Sequence, residues 1–214
     1  MGVRLKLTEI FHSLQGEADT AGWPTTFVRL TGCPLRCQYC DTAYAFHGGE
    51  WWELPAILDR VRSLGAHYVC VTGGEPLAQR ACLELLRALA DAGYRVSLET
   101  SGAMSFESVD SRVVRIVDVK TPGSREEHRN LYDQLRLLRP EEQIKFVLCD
   151  RADYEWSREK IAALQLTQRC QVLFSASHEQ LPARDLADWI LQDRLPVRFQ
   201  LQLHKYLWGN EPGR

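Results

Sequence analysis

No apolar run in this sequence approaches the roughly 18 residues that a membrane-spanning helix needs. The first residues, MGVRLKLTEIFHSLQGE, lack the apolar core and cleavage pattern of a secretory signal, so a cytoplasmic location is expected. Neither sign of charge dominates. With 26 Lys and Arg against 28 Asp and Glu, the formal charge is −2, and nothing general draws the chain to nucleic acid or anionic lipid. No repeat, low-complexity tract or linker-like stretch divides the chain, which is expected to form a single domain over residues 1–214. A disulfide framework is missing as well: the cysteines number seven, and Cys70, Cys82, Cys149 and Cys170 are scattered. Isolated thiols of this kind are usually small buried hydrophobes, whereas clustered ones in a reducing compartment are metal ligands or catalytic groups.

What is present is a strand-then-helix rhythm. Short β-rich runs at 26–30, 67–71, 95–99, 113–119, 143–148, 171–174 and 197–203 are often apolar throughout, as strands covered on both faces are. Helical spacing falls between them at 54–64, 78–92, 126–138, 153–164 and 181–191, with Gly65 and Gly93 as stop signals. Alternation of this kind predicts an α/β fold with a parallel sheet and right-handed crossovers. A complete eight-stranded barrel takes about 250 residues, so a partial, open TIM-type barrel of six or seven mainly parallel strands is expected. In such folds ligands sit beyond the carboxyl ends of the strands. Here those positions read TGCPLRC, TGGEP, TSG, KTPG and SASH, and the last strand runs into QLHKYLW.

Each of these segments admits a chemical and a structural reading. In Cys33-Pro-Leu-Arg-Cys37-Gln-Tyr-Cys40 the C-x3-C-x2-C spacing sets three thiolates on one tight loop. Structural zinc and ordinary 4Fe-4S sites use four protein ligands, so three leave one iron of a cluster open; the alternatives are a zinc loop completed by a distant histidine such as His47, or three unrelated cysteines. Val71-Thr72-Gly73-Gly74-Glu75-Pro76 follows a strand and precedes a helix, and is either a ligand-approaching backbone or a capped turn. Leu98-Glu99-Thr100-Ser101-Gly102 repeats that placement, and Ser175 occupies it later in the chain. Arg29, between Val28 and Leu30, requires an anion if buried, either a carboxylate ligand or Glu17 as an internal partner, and otherwise lies on a solvated face. His204 and Lys205 lie at the carboxyl end of the last predicted strand, where a histidine is either structural or functional. Asp41 and Thr42 follow the last clustered cysteine and can also cap a helix.

The segments IFHSLQGE, TTFVRLTGCPLRCQYCDT, VTGGEP, LETSG, QIKFVL and QLHKYLWG together resemble the 7-carboxy-7-deazaguanine synthases, a family of the radical S-adenosylmethionine superfamily that serves queuosine (7-deazapurine) biosynthesis. The resemblance spans most of the chain. It implies a lyase that contracts the ring of 6-carboxy-5,6,7,8-tetrahydropterin to 7-carboxy-7-deazaguanine with loss of ammonia, with S-adenosylmethionine cleaved to a radical and regenerated. Carried onto matching positions, it assigns Cys33, Cys37 and Cys40 to the 4Fe-4S cluster, Gly74, Glu99 and Ser175 to S-adenosylmethionine, and Thr42 to Mg2+. Gln15, Glu17, Arg29, Thr72 and His204 are assigned to the pterin. It further implies a homodimer and a flavodoxin or ferredoxin as electron donor. The spacing from Cys33 to Cys37 is the ordinary superfamily one, unlike members with a long insertion there, and no residue of the tail 209–214 is assigned. Two other readings share some of these features: a radical S-adenosylmethionine activase acting on a partner protein, and a zinc-binding interaction module.

Overall fold

The computed structural model describes residues 2–209, Glu211 and Gly213; Asn210, Pro212 and Arg214 of the tail lie outside the described residues. Seven parallel strands form the frame: β2 (Pro24–Leu30), β4 (Tyr68–Gly73), β5 (Arg95–Thr100), β6 (Val114–Asp118), β7 (Gln143–Leu148), β8 (Gln171–Ala176) and β9 (Arg198–Gln200). On the β2 side, β1 (Arg4–Leu14) and β3 (Glu50–Glu53) extend the sheet in antiparallel fashion, giving the order β3-β1-β2-β4-β5-β6-β7-β8-β9 among the described residues. Among the described residues the two end strands do not pair, so the sheet is an open barrel as expected, but it has nine strands and not the six or seven expected, because β1 and β3 add an antiparallel edge.

Alternation along the strands sorts side chains to two faces. Val28, Val71, Leu98, Val117, Phe146 and Phe174 join the apolar core, whereas Arg29, Thr72, Glu99, Asp118 and Lys145 line an interior cavity. The core is closed by α1 (Leu54–Leu64), α2 (Cys82–Asp91), α3 (Arg151–Leu164) and α4 (Ala183–Asp193). Leu85, Leu86 and Leu89 of α2 have no exposed surface, each contributing on the order of 1.5–3 kcal/mol of burial. Gly65 ends α1 in the left-handed conformation, with φ 73°, as its place in the sequence suggested. Among the described residues no helix is long and apolar enough to cross a membrane.

The strands expected from sequence all form, with shifted ends, but two elements differ. The helix expected at 126–138 is a series of short 3-10 turns, Glu127–Arg129 and Tyr132–Leu137. Asn130 between them pairs its side chain with the backbone of Lys120, accepting at 2.9 Å and donating at 2.8 Å. That pairing competes with a helical ladder and pins the segment across the end of β6. The last strand stops at Gln200, because the chain turns away from β8 and Leu203 N donates to Gly16 O at 3.0 Å. Residues Leu203–Trp208 then form α5.

A buried ion pair holds β6 to the turn before β7. Arg115 Nε and Nη2 each donate to the Glu142 carboxylate at 2.5 Å, and the Glu142 side chain has no exposed surface. Removing one member of such a pair strands the other. Glu142→Ala is therefore expected to lower stability by about 3–5 kcal/mol while leaving the distant cavity residues in place; urea unfolding followed by circular dichroism measures the loss.

Candidate active site

Three loops at the carboxyl ends of β2, β4 and β5 converge on one cavity of about 660 Å³, a volume suited to a small organic ligand. The first loop carries the clustered cysteines. Leu35 is 1% exposed and anchors it, Cys40 N donates to Cys37 O at 3.1 Å, and Arg36 Nη1 donates to the carbonyls of Cys33 and Leu35 at 2.8 and 2.6 Å. Cys33, Cys37 and Cys40 all line the cavity. Cys149 accepts from Gln38 Nε2 at 3.5 Å but does not line it. Burial above all, then Asp118 and the two neighbouring thiols, pushes the Cys37 thiol up to about 11 against the pull of Lys120. Burial likewise raises Cys33 and Cys40. Thiols in this state keep their protons until a metal displaces them.

Among the described residues no three His, Cys, Asp or Glu side chains converge on a single metal ion. An iron-sulfur cluster asks for something different, since each thiolate binds its own iron, and three thiols on one wall meet that demand with one corner to spare. His47, the residue that would complete a zinc site, is exposed, stands edge-on to Phe46 with ring centres 6.5 Å apart, and is not part of the cavity wall.

The second loop, Gly73-Gly74-Glu75, is fastened to the first. Gly74 N donates to Leu30 O at 3.1 Å and Glu75 N to Gly32 O at 2.8 Å. A Cβ at Gly74 would lie 2.2 Å from Gly32 O and 2.8 Å from Cys33 Cβ, so only glycine permits this approach. Glu75 does cap the following turn, accepting from Leu77 N at 2.9 Å. It also accepts from Thr100 Oγ1, Ser101 N and Ser101 Oγ at 2.9, 2.7 and 2.5 Å. The hydroxyls of the third loop are thereby turned to Glu75, and Glu99 is left as that segment's cavity carboxylate. It accepts from Thr72 Oγ1 at 3.1 Å and Gln15 Nε2 at 3.4 Å.

Charged residues across the wall are paired internally. Arg29 Nε donates to Glu9 at 2.7 Å, so its partner is Glu9 and not the Glu17 that sequence suggested. Glu17 instead accepts from Lys145 Nζ, and from Gln202 Nε2 at 2.7 Å. Burial, the largest influence, would raise the Glu17 carboxyl, but the adjacent Lys145 ammonium and the Gln202 hydrogen bond, with a smaller pull from His204, together hold the group below its ordinary value. Lys120 Nζ donates to Asp118 at 2.8 Å, and Lys205 of α5 ties to Asp41 at 2.9 Å. Thr42 Oγ1 donates to Asp41 at 2.8 Å and makes no side-chain capping bond, so capping does not account for it. His204 packs on Gly16, where a Cβ would meet Nδ1 at 2.2 Å. Burial lowers its pKa despite the opposing charge of Glu17.

Gln15, Glu17, Arg29, Thr42, Thr72, Gly74, Glu99, His204 and the three cysteines thus share one cavity. Ser175 does not reach its wall: it lies within β8, 2% exposed, opposite Val147 and Gln200, and Ser177 lines the cavity in its place. Sequence reasoning missed Lys145, Lys120, Gln202 and Glu9. Lys145 had a legible signal, since it interrupts the apolar run Ile144-Lys145-Phe146 as Arg29 interrupts its own.

A partial barrel whose first strands present three thiols beside a Gly-Gly-Glu turn defines a radical S-adenosylmethionine protein, and residues 27–120 match the family model described as the radical SAM superfamily. The chain is 45% identical to the 7-carboxy-7-deazaguanine synthase of Chlorobaculum tepidum, over 96% of this chain and 94% of the relative. It is 42% identical to that of Koribacter versatilis, over 97% and 98%. The chain belongs to the 7-carboxy-7-deazaguanine synthase family. Its fold is also that of the crystal structure of QueE from Escherichia coli, with TM-score 0.79 and 24% identity over 94% of this chain and 95% of that one.

Two outcomes follow from this geometry. Gly74→Ala is expected to push the cysteine loop from the β4 turn and to cut iron uptake on anaerobic reconstitution at least fivefold, read by iron and sulfide analysis. A histidine whose folded pKa lies below the ordinary 6.5 stabilises the fold above that pH and loses the contribution as pH falls through the depressed value. The melting temperature is therefore expected to drop on acidification below about pH 6.5, and less steeply in His204→Gln.

Proposed function

We propose that this chain catalyses the radical ring contraction of 6-carboxy-5,6,7,8-tetrahydropterin to 7-carboxy-7-deazaguanine with loss of ammonia, making the product for which its relatives are named. The observation that carries this reading is the pairing of three cavity thiols with a wall of hydrogen-bonding groups suited to a pterin acid. Cys33, Cys37 and Cys40 would hold the 4Fe-4S cluster. When bound there, the cluster and S-adenosylmethionine together supply a hydrogen-abstracting radical. The Gly74 backbone and the Glu99 carboxylate would hold S-adenosylmethionine, with Ser177 in the position first assigned to Ser175.

The protein's own groups position the substrate. Arg29 offers paired N–H donors suited to the 6-carboxylate. Glu17, kept ionised by Lys145, is an acceptor for the guanidine-like N–H edge of the pterin, and Gln15, Thr72 and His204 complete the hydrogen-bonding wall. Thr42 would ligate Mg2+; an alcohol beside a carboxylate, with water and substrate oxygens for the remainder, suits a hard cation that keeps part of its hydration. A low-potential flavodoxin or ferredoxin would supply the electron. A homodimer is part of the same reading, supported by apolar surface such as Trp51, 58% exposed on the edge strand β3.

Anaerobically reconstituted protein given 6-carboxytetrahydropterin, S-adenosylmethionine and a low-potential reductant is expected to form 7-carboxy-7-deazaguanine. Cofactor cleavage without that product would point to an activase instead. Cys37→Ala should abolish both cluster assembly and product, whereas Cys82→Ala, at the buried first position of α2 and outside the cavity wall, should retain turnover within about twofold, and equal loss in both would mean the wrong thiols are assigned.

A further inference from the structure

The β1–β2 ladder loses register at one point. Leu7 pairs with Leu30, but Glu9 pairs with Arg29, so two steps on β1 meet a single step on β2. A bulge of this kind sends the following side chains to the opposite face and is commonly found beside active sites. Leu5 and Leu7 accordingly point into the apolar core, as does Ile10 beyond the bulge. Phe11 faces the other way and stacks on Phe27, their centres 4.9 Å apart, on the cavity side. Glu9 is carried to that side with it, opposite Arg29.

Once there, Glu9 makes two bonds through one oxygen. Its Oε1 accepts from Arg29 Nε at 2.7 Å and from the Tyr44 hydroxyl at 2.9 Å. The Arg29 guanidinium carbon stands 5.7 Å from the Phe11 ring centre and 6.0 Å from that of Tyr44. Both contacts restrict the rotation of the planar group. Arg29 lines the cavity; Glu9 does not. The carboxylate therefore grips the guanidinium by Nε, and among the described residues neither Nη makes a hydrogen bond, so both can donate to a second carboxylate. Tyr44 sits just beyond Thr42 on the cysteine loop, so the same oxygen links the substrate wall to that loop.

We propose that Glu9 is a positioning residue: tied to Tyr44, it orients the Arg29 guanidinium so that its Nη donors meet a carboxylate on the substrate, and thereby makes that carboxylate the group by which the enzyme selects pterins. The inference rests on the assignment of Arg29 to the substrate carboxylate.

The test compares Glu9→Ala, Glu9→Gln, Tyr44→Phe and Arg29→Ala in reconstituted enzyme, using 6-carboxytetrahydropterin as substrate and tetrahydropterin without the carboxylate as competitor. Arg29→Ala is expected to abolish the preference for the carboxylated pterin. Glu9→Ala is expected to raise KM about tenfold, the scale of one charge-assisted hydrogen bond, with kcat and substrate-free cofactor cleavage within twofold. Glu9→Gln keeps an oxygen acceptor for Nε and should restore KM to within about threefold of the parent. Tyr44→Phe should fall between the two, and these two variants carry the test if Glu9→Ala does not fold. Unchanged or improved KM in the Glu9 and Tyr44 variants, with preference lost in Arg29→Ala, would overturn the role of Glu9 alone. Preference retained in Arg29→Ala would overturn the assignment beneath it. A parallel fall of cofactor cleavage and substrate affinity in the Glu9 variants would mark Glu9 as structural only and likewise defeat the proposal.

Discussion

Glu75 has no exposed surface, and a carboxylate cut off from water must find its partners in the fold or destabilise it. It finds four donors: Leu77 N on its own turn, and the Thr100 hydroxyl, Ser101 hydroxyl and Ser101 N on the next loop. Meanwhile the backbone of the same turn is hydrogen-bonded to Leu30 and Gly32 at the root of the cysteine loop. One residue thus joins the three loops that follow β2, β4 and β5. Each loop alone would be a mobile connection at a strand end; tied together they form a rim on which thiols and cavity carboxylates keep a common geometry.

The cavity behind that rim is polar, yet its arginine and lysines are paired before any ligand arrives. Arg29 lies with Glu9, Lys145 with Glu17, Lys120 with Asp118 and Lys205 with Asp41. Buried charges without partners would be prohibitively costly, so the pairs are what allow a cation such as Lys145 to sit inside the barrel. They also orient hydrogen-bonding groups in advance of substrate, which reduces the ordering that binding must impose. The α5 helix belongs to this arrangement, since His204, Lys205 and the preceding Gln202 reach residues on the Gly16 segment, the cysteine loop and Glu17.

Much of this was legible in the sequence because it depends on neighbours along the chain. The three thiols are spaced within one loop, Gly74 precedes its own turn, and strands such as Gln143–Leu148 declare themselves by apolar and β-branched residues. Where reading failed, a distant contact had overruled a local pattern. The helical spacing at 126–138 yields to Asn130 gripping Lys120, and β1 hides its alternation behind a bulge that is defined only by its partner strand. Ser175 occupies the right strand but stops short of the wall.

By itself the sequence determined the chemical class and the fold class, since ligand spacing and strand-helix periodicity are encoded in consecutive residues. Only the tertiary structure decided which carboxylate meets which cation: Glu9 for Arg29 and Glu17 for Lys145, against the nearer-seeming pairing of Arg29 with Glu17. The reason is geometric. Partners of buried charges are chosen by strand register, by a one-residue bulge and by the return of the chain through α5, and these relate residues up to 185 positions apart, as in the bond from Gln202 to Glu17, over which no local pattern in the sequence extends.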